Sequence, residues 1–117
     1  MRLGAIYRAG SDTCLIPKVC KTANAWERMR GLLGRPPLAP GQGLLIDPCP
    51  SVHTLGMRYA IDIIFLDAQY RVLRQVPKLV PLRWAGCTGA RATLEMAPGA
   101  LSTLNLAIGD RIEWRAA

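Results

Sequence analysis

Histidine is nearly absent from this 117-residue chain: His53 is the only one, so any imidazole base or metal ligand has a single source. Lysine is scarce as well, three against twelve arginines, and the aromatic residues number only seven. No apolar run approaches the roughly 18 residues that a membrane span needs, which argues against a membrane partner. The cysteines Cys14, Cys20, Cys49 and Cys87 form no C-x-x-C pair, so structural zinc is not indicated. The first eight residues lack an apolar core and a small-residue cleavage site, so neither export nor a disulfide framework is expected. No nucleophile motif, metal set or phosphate loop stands out. These absences together lead to the expectation of a cytoplasmic protein with buried free thiols and no cofactor.

What the chain does contain is half hydrophobic residues, ordinary for a globular protein, in a length near the modal size of one domain. A single domain over 1–117 is therefore expected. The net charge of +7 is uneven: residues 1–35 carry +5 and residues 58–91 carry +4, while 36–57 and 92–117 are each −1. Such a field favours acidic partners. Because the few aromatics are not interleaved with the basic residues, a nucleic-acid surface using Arg71, Arg74, Lys78 and Arg83 ranks below a solvated arginine-rich exterior.

Short alternating segments dominate the order of the chain. Residues 2–8 and 13–20 flank the turn cluster Ala9-Gly10-Ser11-Asp12 and predict a hairpin, with Pro17 placing the second strand at an edge or a bulge. Asn24 as N-cap, Glu27 three residues on, and Gly31 and Gly34 near the end predict a helix over about 24–33. Its Ala25, Trp26, Met29, Leu32 and Leu33 recur at helical spacing as a core-facing stripe. Residues 35–43 are a Pro- and Gly-rich loop, 43–47 a brief strand stopped by Pro48-Cys49-Pro50, and 71–76 the far arm of a second hairpin. Residues 77–89 read as a long loop, 90–96 as a half-buried strand, about 100–106 as a short C-terminal helix and 111–115 as a final strand. The crossover helices of a parallel sheet are missing from this pattern. The expected fold is therefore mainly β, a compact β-sandwich or partly closed barrel.

The stretch 52–67 concentrates the chemistry. Read as one strand, its odd positions His53, Leu55, Met57, Tyr59, Ile61, Ile63 and Phe65 form one nearly unbroken apolar face, and its second half is apolar on both faces. Asp62 lies within that second half, where an unpaired charge costs several kcal/mol. Either backbone N–H groups hold it, locking a turn or strand crossing, or Arg58, His53 and Thr54 reach it through a bend near Gly56 or Arg58-Tyr59-Ala60. Glu95, between Leu94 and Met96, is a second carboxylate that can face Asp62 or solvent. Cys87, beside Arg83 and Trp84, is a weaker candidate as a thiol nucleophile.

The run Val52-His53-Thr54-Leu55-Gly56-Met57-Arg58-Tyr59-Ala60-Ile61-Asp62-Ile63-Ile64-Phe65-Leu66-Asp67 resembles the signature of the family known as domain of unknown function 192. The helix with Gly31-Leu32-Leu33-Gly34, the Gly43-Leu44-Leu45 strand, Thr93-Leu94-Glu95-Met96-Ala97-Pro98-Gly99 and the Gly109-Asp110 turn resemble it in the same order. The resemblance implies a small, mostly β domain with helical decoration, and no established activity, substrate or cofactor. Where the family often has Phe-Pro before the isoleucine, this chain has Tyr59-Ala60. The leading functional expectation is a non-enzymatic binding or accessory domain, in which His53, Thr54, Arg58, Asp62 and Glu95 hold a small polar ligand or a partner segment. The alternatives are a small-substrate hydrolase or isomerase with Asp62 or His53 as general base, and an arginine-mediated binder of nucleic acid or acidic protein.

Overall fold

The hairpin expected around Ala9–Asp12 forms as β1 (Arg2–Arg8) and β2 (Cys14–Lys21) of the computed structural model. The structure describes residues 1–53 and 57–117, with only the backbone for Val52 and His53. Pro17 has no N–H to give to a ladder. It falls where Gly4 faces Val19 but Ile6 faces Ile16, so β2 bulges there rather than lying at an edge.

Seven further strands follow: β3 (Gln42–Ile46), β4 (Ser51–His53), β5 (Ile61–Leu66), β6 (Val72–Leu79), β7 (Trp84–Gly86), β8 (Ala92–Met96) and β9 (Ile112–Ala116). Seven of the nine join in one sheet in the order β6-β5-β8-β3-β2-β1-β9, and β4 pairs with β7 in a separate ribbon. Neighbours are antiparallel except β2 and β3, which run parallel across a connection holding the helix α1 (Ala25–Arg30). One crossover helix is thus present after all. The sheet curls until its edges meet near one end, where Arg71 bridges Arg111 and the N–H of Ile112 reaches the Tyr70 carbonyl. The protein is therefore mainly β, and of the two expected forms it takes the partly closed barrel.

Alternation sorts the side chains of the central strands into two cores. Leu45, Ile64, Leu66, Ala92, Leu94 and Met96 point to one face with Ile6, Val19 and Ile112. Leu44, Ile46, Ile61, Ile63 and Phe65 point to the other, against Leu32, Leu79 and Ala85. All six residues of β5 are buried, as its apolar second half indicates, and so are all five of β8, which was expected to be only half-buried but lies between β5 and β3. Burial of each large side chain contributes about 1.5–3 kcal/mol.

Several expectations are corrected. The run 52–67 is not one strand: β4 and β5 belong to different sheets, and the chain bends at Arg58 and Tyr59 between them. A bend at Gly56 falls outside the described residues. The supposed 77–89 loop holds the end of β6 and all of β7. The C-terminal helix is one 3-10 turn, Ala100–Thr103, rather than 100–106. None of the four cysteines is fully buried, and Cys14 is exposed. The largest correction concerns α1. Asn24 does cap it through the Glu27 N–H, but the helix ends at Arg30 and none of its own residues is buried. Trp26 is 68% exposed and Met29 76%, because the crossover packs on the sheet through Leu32 and Leu38, beyond the end of α1.

Candidate functional site

Asp62, the sharpest anomaly of the sequence, is fully satisfied by backbone. It is 1% exposed, at the start of β5. One oxygen accepts from the Lys78 N–H at 2.9 Å, and the other from the N–H groups of Gly99 and Leu101 at 3.0 Å each. Lys78 sits at φ 52 in a bulge of β6, where Ile61 faces Leu79 but Ile63 faces Val76. Gly99, at φ 91, opens the 3-10 turn in the left-handed conformation that glycine adopts without a Cβ penalty. One buried carboxylate thus ties an edge-strand bulge and the 3-10 turn to the central sheet. A carboxylate whose lone pairs are taken by three fixed N–H donors is a fastener, and has little capacity left for a substrate proton.

Glu95 is the opposite case. Cross-strand register puts Asp62 beside Met96 and Glu95 beside Ile63, so the two carboxylates occupy opposite faces of the sheet. Glu95 is 5% exposed, and its Oε2 has no hydrogen-bond partner among the described residues. Burial pushes its carboxyl up to about 7. It sits there because β8 lies between β5 and β3, with Leu44 opposite it on the other side.

That orphaned oxygen belongs to a side chain lining a cavity of about 310 Å³ between the sheet and the α1 crossover. Apolar walls come from Leu32, Leu33, Ile46 and Met57, polar ones from Cys49 and Ser51, and the α1 end supplies Arg28 and Arg30. The chain reaches this position through specific contacts. After β3, Asp47 accepts from the Tyr70 hydroxyl at 2.6 Å and from Arg91 Nε at 3.2 Å, and the Thr93 hydroxyl donates to the Cys49 carbonyl at 2.7 Å. On the far side, the Tyr59 hydroxyl donates to the Arg35 carbonyl at 3.1 Å, drawing Met57 against the residues that follow α1. Burial pushes the Cys49 thiol up, the charge of Glu95 adds to this, and Sγ donates to the Ser51 carbonyl at 3.0 Å, so Cys49 stays a thiol. Burial and Glu95 also raise the Tyr59 phenol.

Of the five expected site residues, the structure places Glu95 in this cavity and Arg58 in an adjoining hollow of about 670 Å³ that shares Leu32, Leu33 and Met57. Asp62 is on the other face of the sheet. His53 pairs with Trp84 through the β4–β7 ladder, and its side chain, like all of Thr54, lies outside the described residues. Cys49, Arg28 and Arg30 were not expected in a site. The first is flanked by Pro48 and Pro50, a rigid frame that marks a fixed position. Cys87 is half-buried, its thiol 3.6 Å from the Thr88 carbonyl.

The profile of the family DUF192, described as "Uncharacterized ACR, COG1430", matches residues 8–114, which take in β2 to β8, most of β9 and the whole cavity lining. The chain belongs to the DUF192 family. A UPF0127 protein of Pyrococcus furiosus is 38% identical over 65 residues, 55% of this chain, and the chain spans about half, 55%, of that relative's length. Two solved structures share the fold. A protein of unknown function from Novosphingobium aromaticivorans superposes with TM-score 0.77 at 22% identity, over 96% of this chain and 85% of the other. A candidate transcription regulator from Sinorhizobium meliloti gives TM-score 0.78 at 20% identity, over 97% and 92%. At those identities the likeness extends to the fold and not to activity. Among the described residues, no helix is long and apolar enough to cross a membrane.

Proposed function

We propose that this DUF192 domain is a non-enzymatic binding domain, and that its ligand site is the cavity lined by Glu95. The carrying observation is the buried carboxyl with an unpaired Oε2 at a hollow of about 310 Å³. A buried polar atom without a partner costs about 1–3 kcal/mol, and a ligand that brings a hydrogen-bond donor recovers it. The volume sits at the low end of small-molecule sites, roughly 300–1,000 Å³, and the mostly apolar walls with a few polar groups, Glu95 deepest among them, fit that class. The ligand is therefore small, with a donor group for Glu95 and an apolar body for Leu32, Ile46 and Met57.

A general base at Asp62 finds no support in its three backbone bonds, and the neighbouring Cys49 is held as a neutral thiol rather than a nucleophile. The arginine-mediated alternative is weakened by Arg74, whose guanidinium donates to the Gly86 carbonyl at 2.7 Å, tying β6 to β7. A thermal-shift screen of small amines, alcohols, amides, amino acids and sugars tests the proposal. A ligand at a hundred times its dissociation constant adds about 2.7 kcal/mol of stability, a readily measured rise in Tm. The expected hit loses its shift in Glu95→Gln and keeps it in Asp12→Asn, an exposed control. Silence across the screen, or hits indifferent to Glu95, overturns the proposal.

A further inference from the structure

We infer that the ligand of the Glu95 cavity is a small zwitterion, an aliphatic α-amino acid, whose ammonium group meets Glu95 and whose carboxylate meets Arg28. The inference rests on the proposal that this cavity is a binding site and adds the charge pattern of what enters it. Three observations carry it. The first is the vertical order of charge: an acceptor-only carboxylate with an open Oε2 is buried in the wall, while Arg28 and Arg30 line the same cavity from the α1 end.

The second is the state of those two arginines. Arg30 Nε donates to the Leu33 carbonyl at 3.1 Å, which fixes its guanidinium beside the cavity. Arg28 is half-buried and has no ion-pair partner among the described residues, which leaves its fork of donors for a carboxylate. The third is the rest of the lining, where Leu32, Leu33, Ile46 and Met57 offer contact to an aliphatic chain beside the two charged ends.

Each simpler ligand class fails one of these conditions. A bare amine satisfies Glu95 but must pass two guanidinium groups and the +5 field of residues 1–35. A bare carboxylic acid suits the arginines but leaves Oε2 unpaired and brings like charge toward Glu95. A neutral donor pairs with Glu95 and gains nothing from Arg28. A zwitterion makes a charge-assisted hydrogen bond at both ends, the stronger kind, and stays neutral overall as it enters.

Calorimetric titration of the intact chain at pH 7.5 with L-leucine, L-valine and L-methionine, and with 3-methylbutylamine and 4-methylpentanoate as half-ligands, tests this. The expected result is binding of at least one amino acid, with each half-ligand at least tenfold weaker. Arg28→Ala should bring the amino acid down to the level of the amine, whose own binding should hold or strengthen as one repelling guanidinium is lost, and Glu95→Gln should bring the amino acid down to the level of the acid. No residue of α1 is fully buried and the Arg28 side chain makes no ion pair among the described residues, so its loss leaves the core intact, and the half-ligand arms need no variant at all. If the amine binds wild type as tightly as the amino acid, the zwitterion inference falls while the Glu95 site stands. The zwitterion is equally excluded, and the site equally kept, if only the neutral alcohols, amides or sugars of the thermal-shift screen bind in a Glu95-dependent way. If nothing in the titrations or the screen binds in a Glu95-dependent way, both fall.

Discussion

Replacing Glu95 by glutamine should change how stability depends on pH, by an amount that follows from its burial. Folding moves the Glu95 carboxyl from 4.5 to about 7 because the strand carrying it is covered on both faces. An acid raised in this way binds its proton more tightly in the folded state. Its contribution to stability is fully present below pH 4.5 and is lost as pH rises through 7. At about 1.4 kcal/mol for each tenfold change in proton affinity, the full loss is about 3 kcal/mol, most of which falls between pH 5 and 8. Asp110 and Glu113 run the other way. Backbone N–H groups of Ala107 and Gly10, followed by Arg8 and Arg115, hold them below the usual carboxylate range, so their contribution is lost as pH falls. Both are present in wild type and Glu95→Gln, and subtraction removes them. Urea unfolding of the two proteins at pH 5, 6, 7 and 8 is the assay. The stability of Glu95→Gln relative to wild type should improve by about 2–3 kcal/mol from pH 5 to pH 8. Parallel curves would show that Glu95 ionises as it does in water, and the cavity would lose the group on which the proposed function depends.

The three remaining predictions concern single side chains. Asp62→Ala removes the acceptor of three backbone donors and should cost about 3–5 kcal/mol, read by urea unfolding. Native-state hydrogen exchange should also accelerate at Lys78, Gly99 and Leu101, and a loss below about 1 kcal/mol would contradict the fastener role. Trp26→Ala should change stability by no more than about 0.5 kcal/mol, because the ring is 68% exposed, whereas a core tryptophan would cost about 3–5 kcal/mol. Iodoacetamide at pH 8 should alkylate exposed Cys14 well before Cys49, as mapped by peptide mass spectrometry, and equal rates would contradict the burial of the Cys49 thiol.

The strands were legible because their physical signals are local. Ala9–Asp12 and Asp67–Tyr70 are turn chemistry that fixes a hairpin whatever lies beyond it, and a segment such as Ile61–Leu66 has no exposed alternative. The helix shows where locality stops. Asn24 and Glu27 announce its start correctly, yet the stripe of Trp26 and Met29 has helical period without a core to meet. Periodicity states which residues share a face, and only tertiary packing decides what that face touches. The same limit explains the site. Asp62 and Glu95 are equally anomalous in sequence, each a carboxylate between large apolar residues in a central strand. Their environments diverge through contacts at a distance along the chain: Gly99 and Leu101 reach Asp62 from 37 and 39 residues away. Glu95 instead faces the hollow left where the crossover rests on Leu32. An acidic residue in an apolar strand therefore identifies a position under constraint without telling a fastener from a receptor. What separates them is whether fixed donors fill the lone pairs, and at Glu95 one oxygen is left for something that is not part of the chain.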